Sequence, residues 1–290
     1  MALLHRLFAV SGLLALGFST AVLAAAPATV EAVQSPAWRD RGGLTVPLAA
    51  GMELQSGDVL RTGSGARAYL MLAEGSRVKL GEDSKFTFHS RSLRPEKSFR
   101  GALDVLVGAF RFTTGKLKKA LPRDVAIRVG TATIGIRGTD LWGRTDPKGD
   151  LVALLEGRVE ITRAGQTTEM AQPMTYYDAP QGHAATVKSL DPEVFRMLVR
   201  QTEILPGDGA ARSKGKWRVM AGSAGSEEAA LELYDQLRDA GFATRVRPQR
   251  VEGENWRYDL LLGGFSSAAE AEVAAARLKT LTGLKPSVGR

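Results

Sequence analysis

An internal repeat constrains this chain more than any other feature. At an offset of 41 residues, Gly222 matches Gly263, Ser226 matches Ser267, Ala230 matches Ala271 and Leu237 matches Leu278. Each copy reads as a strand followed by a helix: "WRVMAG" leads into "SEEAALELYDQLRDAG", and "YDLLLGG" leads into "SAAEAEVAAARLKTLTG". Ser226 before Glu227 and Glu228 is a good helix start, and Ser267 with Glu270 has the spacing of a capping box. Gly241 and Gly283 sit where a left-handed C-terminal residue is wanted. Ala230, Leu233 and Leu237 line one face of the first helix; Ala271, Ala274, Leu278 and Leu281 line one face of the second.

Two further short strands, "ATRVRP" and "KPSVG", complete a βαββαβ order. That is the ferredoxin-like arrangement, four antiparallel strands with both helices on one face. Alternation turns Val219, Ala221, Val246, Leu260 and Leu262 toward the helices. It turns Arg218, Met220, Arg245, Arg247, Asp259 and Leu261 onto the opposite, uncovered face. An uncovered sheet face needs a reason, and these six residues are the candidate ligand-binding set. Arg245 and Arg247 equally suit a second role, as charges that keep an edge strand from pairing with other chains.

Residues 44–180 have a different period. Short β-prone runs such as "ARAYLML", "SRVKL", "KFTF" and "LVALLEGRVEI" alternate between turn signals such as "SGD", "TGSG" and "PKGD". Leu70 and Leu72, Val78 and Leu80, Phe86 and Phe88, Val159 and Ile161 mark a period of two, which predicts an all-β sandwich or roll. Residues 181–215 then form a connector: Asp191 caps a helix that begins at Pro192, its apolar face at 194, 198 and 205, and "PGDGAARSKGK" reads as a flexible linker. The fold class is therefore α+β in two domains, an all-β domain at 44–180 and a ferredoxin-like domain at 216–290.

The first 24 residues read as a cleaved export signal, with Arg6 in a short positive n-region, an apolar run, and small residues before a cut near Ala24. The same run, uncleaved, would serve as a membrane anchor. The chain has no cysteine, which excludes disulfides, lipidation at an N-terminal Cys, thiolate metal sites and Cys nucleophiles. Of three His, His5 leaves with the signal, and neither His89 nor His183 has a ligand set or a base and orienter beside it in sequence. No metal and no cofactor is expected. The formal charge of +8 suits an anionic partner, and an export signal turns that from nucleic acid toward the anionic polymers of the envelope. A basic stretch at 91–123 (Arg91, Arg94, Lys97, Arg100, Arg111, Lys116, Lys118, Lys119, Arg123) reads mainly as solvated loops.

"TATIGIRGTDLWG" at 131–143 invites a catalytic reading through Thr139 or Asp140. General acid–base work needs a second group in reach, and the sequence supplies no partner. A structural role is favoured: Ile134 and Ile136 bury one strand face, Gly138 permits a bulge, and Arg137, Thr139 and Asp140 satisfy exposed backbone groups.

The residues "WRVMAGSAGSEEAALELYDQLRDAGF" and "YDLLLGGFSSAAEAEVAAARLK" resemble the SPOR domain. The resemblance implies binding, through the open sheet face, to peptidoglycan glycan strands stripped of their peptides and enriched at the division septum. Family members usually place Gln where Met220 stands and often Arg where Asp259 stands. The stretch "LAAGMELQSGDVLRTGSGARAYLMLAEGSRVKLGEDSKFTF", with "VGTATIGIRGTDLWG" and "LVALLEGRVEIT", resembles the FecR domain over about 44–165. That implies a periplasmic binding or sensing module with an envelope protein as its partner. The sigma-factor-binding segment of the namesake regulators has no counterpart here, so an anti-sigma role is not expected. The chain thus reads as a non-catalytic periplasmic protein without a membrane span after cleavage. Two other readings stay open, a glycan-processing enzyme built on Asp140 and Glu156, or a FecR-like signalling regulator. An RNA-binding reading of the ferredoxin-like topology fails on "YDLLLGGF", which lacks the base-stacking aromatics of such sheets.

Overall fold

A computed structural model describes residues 26–90, 99–115, 123–251 and 255–290. The export-signal stretch lies outside these residues, as do six of the basic residues named above (Arg91, Arg94, Lys97, Lys116, Lys118, Lys119). The chain is mostly β-strand with three helices.

The first part opens with β1 (Ala28–Gln34), β2 (Ala37–Arg41), β3 (Leu44–Pro47), β4 (Glu53–Leu54) and β5 (Val59–Thr62). β6 (Arg67–Leu72), β7 (Arg77–Leu80) and β8 (Lys85–Ser90) follow. Three 15-residue strands then dominate: β9 (Phe99–Thr113), β11 (Ala132–Asp146) and β12 (Gly149–Arg163), with β10 (Arg123–Val129) between the first two. β13 (Gln166–Met170), β14 (Thr175–Pro180), β15 (Thr186–Ser189), helix α1 (Pro192–Arg200) and β16 (Ala211–Arg212) complete it.

These sixteen strands form one continuous sheet, in the order β15-β14-β12-β11-β10-β9-β7-β6-β1-β16, with the short strands paired off this path. β9 and β10 run parallel, and the other pairs are antiparallel. The sheet turns on itself because its long strands change partners midway. β9 pairs with β8 and β10 in its first half, then with β7 and β11 in its second. Bulges at Lys85/Phe86 and between Arg137 and Leu141 supply the local bends. One core results, and all eight residues that marked the period of two lie in it. Phe86, Phe88, Phe110 and Phe112 are fully buried there, each stabilising the fold by about 1.5–3 kcal/mol. Trp142 faces the other side of β11 and, with Ala109, Ala153, Leu190 and Leu198, packs a smaller core under α1.

The second part is β17 (Trp217–Ala224), α2 (Glu227–Asp239), β18 (Thr244–Arg250), β19 (Trp256–Phe265), α3 (Ala268–Thr282) and β20 (Ser287–Gly289). Its sheet order, β18-β19-β17-β20, is that of the ferredoxin-like topology. Ser226 accepts a hydrogen bond from the Ala229 N–H, Ser267 accepts one from the Glu270 N–H, and α3 ends on a left-handed Gly283. Ala230, Leu237, Ala271, Ala274 and Leu278 are buried under the sheet, whereas Leu281 is 53% exposed and has left the apolar face.

Several elements depart from the sequence pattern. The first sheet extends outside 44–180 on both sides, through β1 and β2 before it and β15 and β16 after it. Asp191 caps α1 as expected, but only Leu198 of its three apolar positions is buried, Val194 and Leu205 being exposed. The Gly-rich segment after α1 is bound on both sides. Ala211 and Arg212 pair with Val33 and Ala32 of β1. The Glu270 carboxylate does not turn back to close a capping box. It accepts the N–H groups of Gly207 (2.8 Å), Gly209 (2.6 Å) and Ala210 (3.2 Å).

The two parts are also joined directly. Arg277 of α3 donates to the carbonyls of Ser35 (3.0 Å) and Gly65 (2.6 Å). The Trp38 indole donates to the Arg238 carbonyl at the end of α2, and the Ala37 N–H to that of Gly241. Glu270→Ala removes the acceptor of three backbone donors at once. Limited proteolysis is expected to cut the variant between residues 205 and 215 several-fold faster than the parent, with helix content by circular dichroism unchanged.

Candidate functional site

The ferredoxin-like sheet sets its residues out as alternation dictates. Val219, Ala221, Leu260 and Leu262 are buried against the helices, and Val246 packs on the same core. The opposite face is arranged in cross-strand rows: Arg218 beside Gly263, then Met220, Leu261 and Arg245 abreast, then Asp259 beside Arg247. A bulge between Met220 and Gly222 sends both Ala221 and Gly222 toward the helices. β18 is an edge strand and carries Pro248 beside Arg245 and Arg247, so the aggregation-blocking role of these arginines fits as well.

Asp259 is 1% exposed although it lies on the open face. Arg257 covers it, at 2.9 Å from Oδ1, and Arg247 approaches Oδ2 at 3.6 Å. A further arginine, Arg257, shares the face because it lies two residues before Asp259 on β19, just ahead of the "YDLLLGG" run. Among the described residues, Arg218 and Arg245 have no carboxylate partner. Met220 is at the margin of exposure, and Leu261 is half-buried between them. Of the tryptophans at the margins, Trp217 packs on the helical side with Arg290 over its ring, and Trp256 is exposed at the start of β19.

The polar residues of the β domain's two motifs serve the fold. In "GDVLRTG", Asp58 is fully buried and accepts two bonds from Arg41 (2.6 and 2.7 Å) and one from the Gln55 N–H. That pairing holds the Arg41 guanidinium above its ordinary pKa. Arg61 grips Asp40 with two bonds and stacks over Trp38; Thr62 ties the Gly81 carbonyl to the Ser84 N–H.

In "IGIRGTD", Gly138 has φ +66° at the bulge, and a Cβ on Gly157 would lie 2.2 Å from the Gly138 carbonyl oxygen. Two glycines are thus needed where β11 and β12 cross. Arg137 pairs through its backbone with Arg158. Thr139 donates from its hydroxyl to the Arg158 carbonyl, and its N–H donates to Thr114. Asp140 serves a side chain instead of backbone groups. Both its oxygens bind Arg111, at 2.9 and 2.8 Å, and Thr113 donates to one of them.

That contact opens onto a larger network. Arg111 also reaches Glu203, just after α1, at 3.0 Å. Lys79 donates to both Glu203 oxygens (2.6 and 2.7 Å), and the Tyr69 hydroxyl donates to Glu203 while accepting the Ile204 N–H. Burial raises the Tyr69 pKa, so the phenol stays a donor. Burial also opposes the charge on Glu203, but the bonds from Lys79 and Tyr69 outweigh it and hold that carboxyl below its ordinary value. A cleft of about 350 Å³ beside Arg77, Lys79, Arg111 and Asp140 is consequently charge-balanced, because Arg77 is paired with Glu31.

Glu156 faces Asp140 across the β11–β12 ladder, but it is exposed and does not line that cleft. No carboxylate pair there meets the needs of glycoside hydrolysis. His89 lies 3.2 Å from Asp104, whose carboxylate Arg128 already grips. Among the described residues no cluster of His, Cys, Asp or Glu is arranged to hold a metal ion, and no helix is long and apolar enough to cross a membrane.

The geometry describes a two-part protein, a β domain whose motifs are spent on its own fold and a small α/β module with an open, cationic sheet face. Comparison with known families gives each part its class. The FecR protein family model matches residues 58–160, and the SPOR domain model matches residues 213–288. The chain carries a FecR domain followed by a C-terminal SPOR domain. Both are binding or regulatory classes, the SPOR domain pointing to peptidoglycan and the FecR domain to sensing or signalling. No curated protein matches the chain. Two crystal structures of a candidate anti-sigma factor from Parabacteroides distasonis ATCC 8503 align at 11% and 12% identity with a TM-score of 0.40, over 78% of this chain and 92% and 91% of theirs. A likeness that remote carries no argument here.

The network yields a pH dependence with a definite sign. The folded-state pKa of Glu203 is depressed, so its contribution is present above the unfolded value and is lost as pH falls through the folded one. Glu203→Gln is expected to lower Tm at pH 7, and to flatten the fall of Tm between about pH 5 and pH 3 relative to the parent. Scanning calorimetry across that range checks it.

Proposed function

We propose that this chain is a non-catalytic, exported envelope protein that binds peptidoglycan glycan through the open SPOR sheet face, preferring strands stripped of their stem peptides, as at the division septum. The FecR domain then acts as the module that meets a further ligand or protein partner. In this reading the signal is cleaved near Ala24 and the mature protein works in the periplasm.

One observation carries the proposal: Arg218 and Arg245, without a carboxylate partner among the described residues, stand beside Met220 and Leu261 on the sheet face turned away from the helices. Sugar rings present apolar faces with polar rims, and an apolar strip between guanidinium groups matches both. Amidase cleavage of a stem peptide leaves a free lactyl carboxylate on each muramic acid, and arginine binds a carboxylate through two parallel charge-assisted bonds. A peptide-bearing strand has an amide at that atom and loses this contact. The preference for denuded strands follows from that difference in charge.

The mature chain, starting at Ala25, should pellet with purified sacculi, and more of it after amidase treatment than before. Equal or absent binding to both preparations would sink the reading. Arg218→Ala with Arg245→Ala is expected to weaken binding at least about tenfold, since each charge-assisted bond is worth about 1.5–3 kcal/mol. An exported fluorescent fusion should collect at division septa.

A further inference from the structure

The open sheet face is not open along its whole length. Where it meets the FecR domain it forms one wall of a cleft of about 480 Å³, within the roughly 300–1,000 Å³ of small-ligand sites. The sheet contributes Arg218, Arg245, Arg247 and Leu261. The facing wall is Val33 of β1, the turn Leu48-Ala49-Ala50, and Arg212 with Ser213 from the connecting segment.

The lining includes four arginines and no aspartate or glutamate. Arg247 shares Asp259 with Arg257; Arg212, Arg218 and Arg245 have no carboxylate partner among the described residues. Uncompensated like charges gathered around one concavity raise the local potential and repel one another, and an anionic ligand relieves both. The 350 Å³ cleft of the β domain offers a contrast within the same molecule, since each of its cations is already paired.

The facing wall is also fixed in place. Arg212 is held in β16 against β1, Glu270 gathers the three N–H groups just before it, and Arg277 and Trp38 tie the helices to the first domain. The two walls are therefore held at a fixed separation, as a binding site requires.

We propose that the glycan site is composite. Arg212 and the Leu48–Ala50 turn of the first domain complete an anion-binding cleft whose other wall is the SPOR sheet. The ligand is an unbranched, carboxylate-bearing sugar polymer: Arg212 supplies a further carboxylate contact, and the turn blocks strands that carry bulky peptide branches. The FecR domain thereby takes part in choosing which strands the SPOR face accepts. This inference rests on the glycan reading above.

Full-length mature protein and amidase-treated sacculi test it, with soluble denuded glycan fragments as a second probe. Arg212→Glu is expected to weaken binding at least about tenfold, and Lys148→Glu, the same charge change on a distant turn, to leave it unchanged. Ala49→Trp, which fills the cleft from the first-domain side, should weaken binding with Tm retained; Ala50→Trp is the alternative if the first variant folds poorly. If the parent chain does not bind denuded glycan, both readings fall. If it binds and Arg218→Ala with Arg245→Ala releases it, while Arg212→Glu and the tryptophan variants bind like the parent, the SPOR reading stands and the composite cleft is overturned.

Discussion

A single guanidinium, that of Arg111, joins the parts of this protein that matter most. It sits on β9, one of the three 15-residue strands, and is half-buried, so pairing counts for more there than at the open surface. Its partners are Asp140, from the motif that marks the FecR family, and Glu203, from the segment just after α1. The motif thereby secures the end of the connector to the sheet. From Glu203 the chain runs through Ile204, whose N–H is held by Tyr69, to the glycines gathered by Glu270 and on to Arg212. Each step fixes the next. This path joins the first domain to the SPOR module alongside the direct bonds from Arg277, Trp38 and Ala37.

The sequence told most where local patterns control structure. A period of two located Phe86, Phe88, Val159 and Ile161 in the core, and the 41-residue offset located both helices, their serine caps and the buried Val219 and Leu260. It told least where a residue's partner is distant. Glu270 has capping-box spacing, and locally that is its best use; three N–H groups sixty or more residues away compete for the carboxylate and win it. The segment before Arg212 is Gly-rich and polar, which reads as flexible, because composition cannot register an acceptor supplied from another element. Asp140 was expected to serve backbone groups and instead serves Arg111, twenty-nine residues earlier. β1 is hard to see in the sequence although Ala28, Val30 and Ala32 alternate and are buried, because small alanines give a weak apolar signal. Alternation places the six face residues, and it places Arg257 beside Asp259 as well once β19 begins at Trp256 instead of Tyr258.

The distribution of unpaired charge separates the parts by role. In the FecR domain, acids and bases are matched inside the fold: Asp58 with Arg41, Asp40 with Arg61, Glu31 with Arg77, Asp140 and Glu203 with Arg111. The more exposed of these, Asp40 with Arg61 and Glu31 with Arg77, add only about 0–1 kcal/mol each, so their use is chiefly to orient strands whose stability comes from the buried phenylalanines. On the SPOR face the matching stops. Met220 and Leu261 give the centre of that face an apolar strip with little hydrogen-bonding capacity. Asp259 is covered by Arg257, while Arg218 and Arg245 have no carboxylate partner among the described residues. Arg212 adds a further cation from outside the module. The cations of the SPOR face thus gather toward its boundary with the FecR domain, where Arg212, Arg218, Arg245 and Arg247 line one cleft.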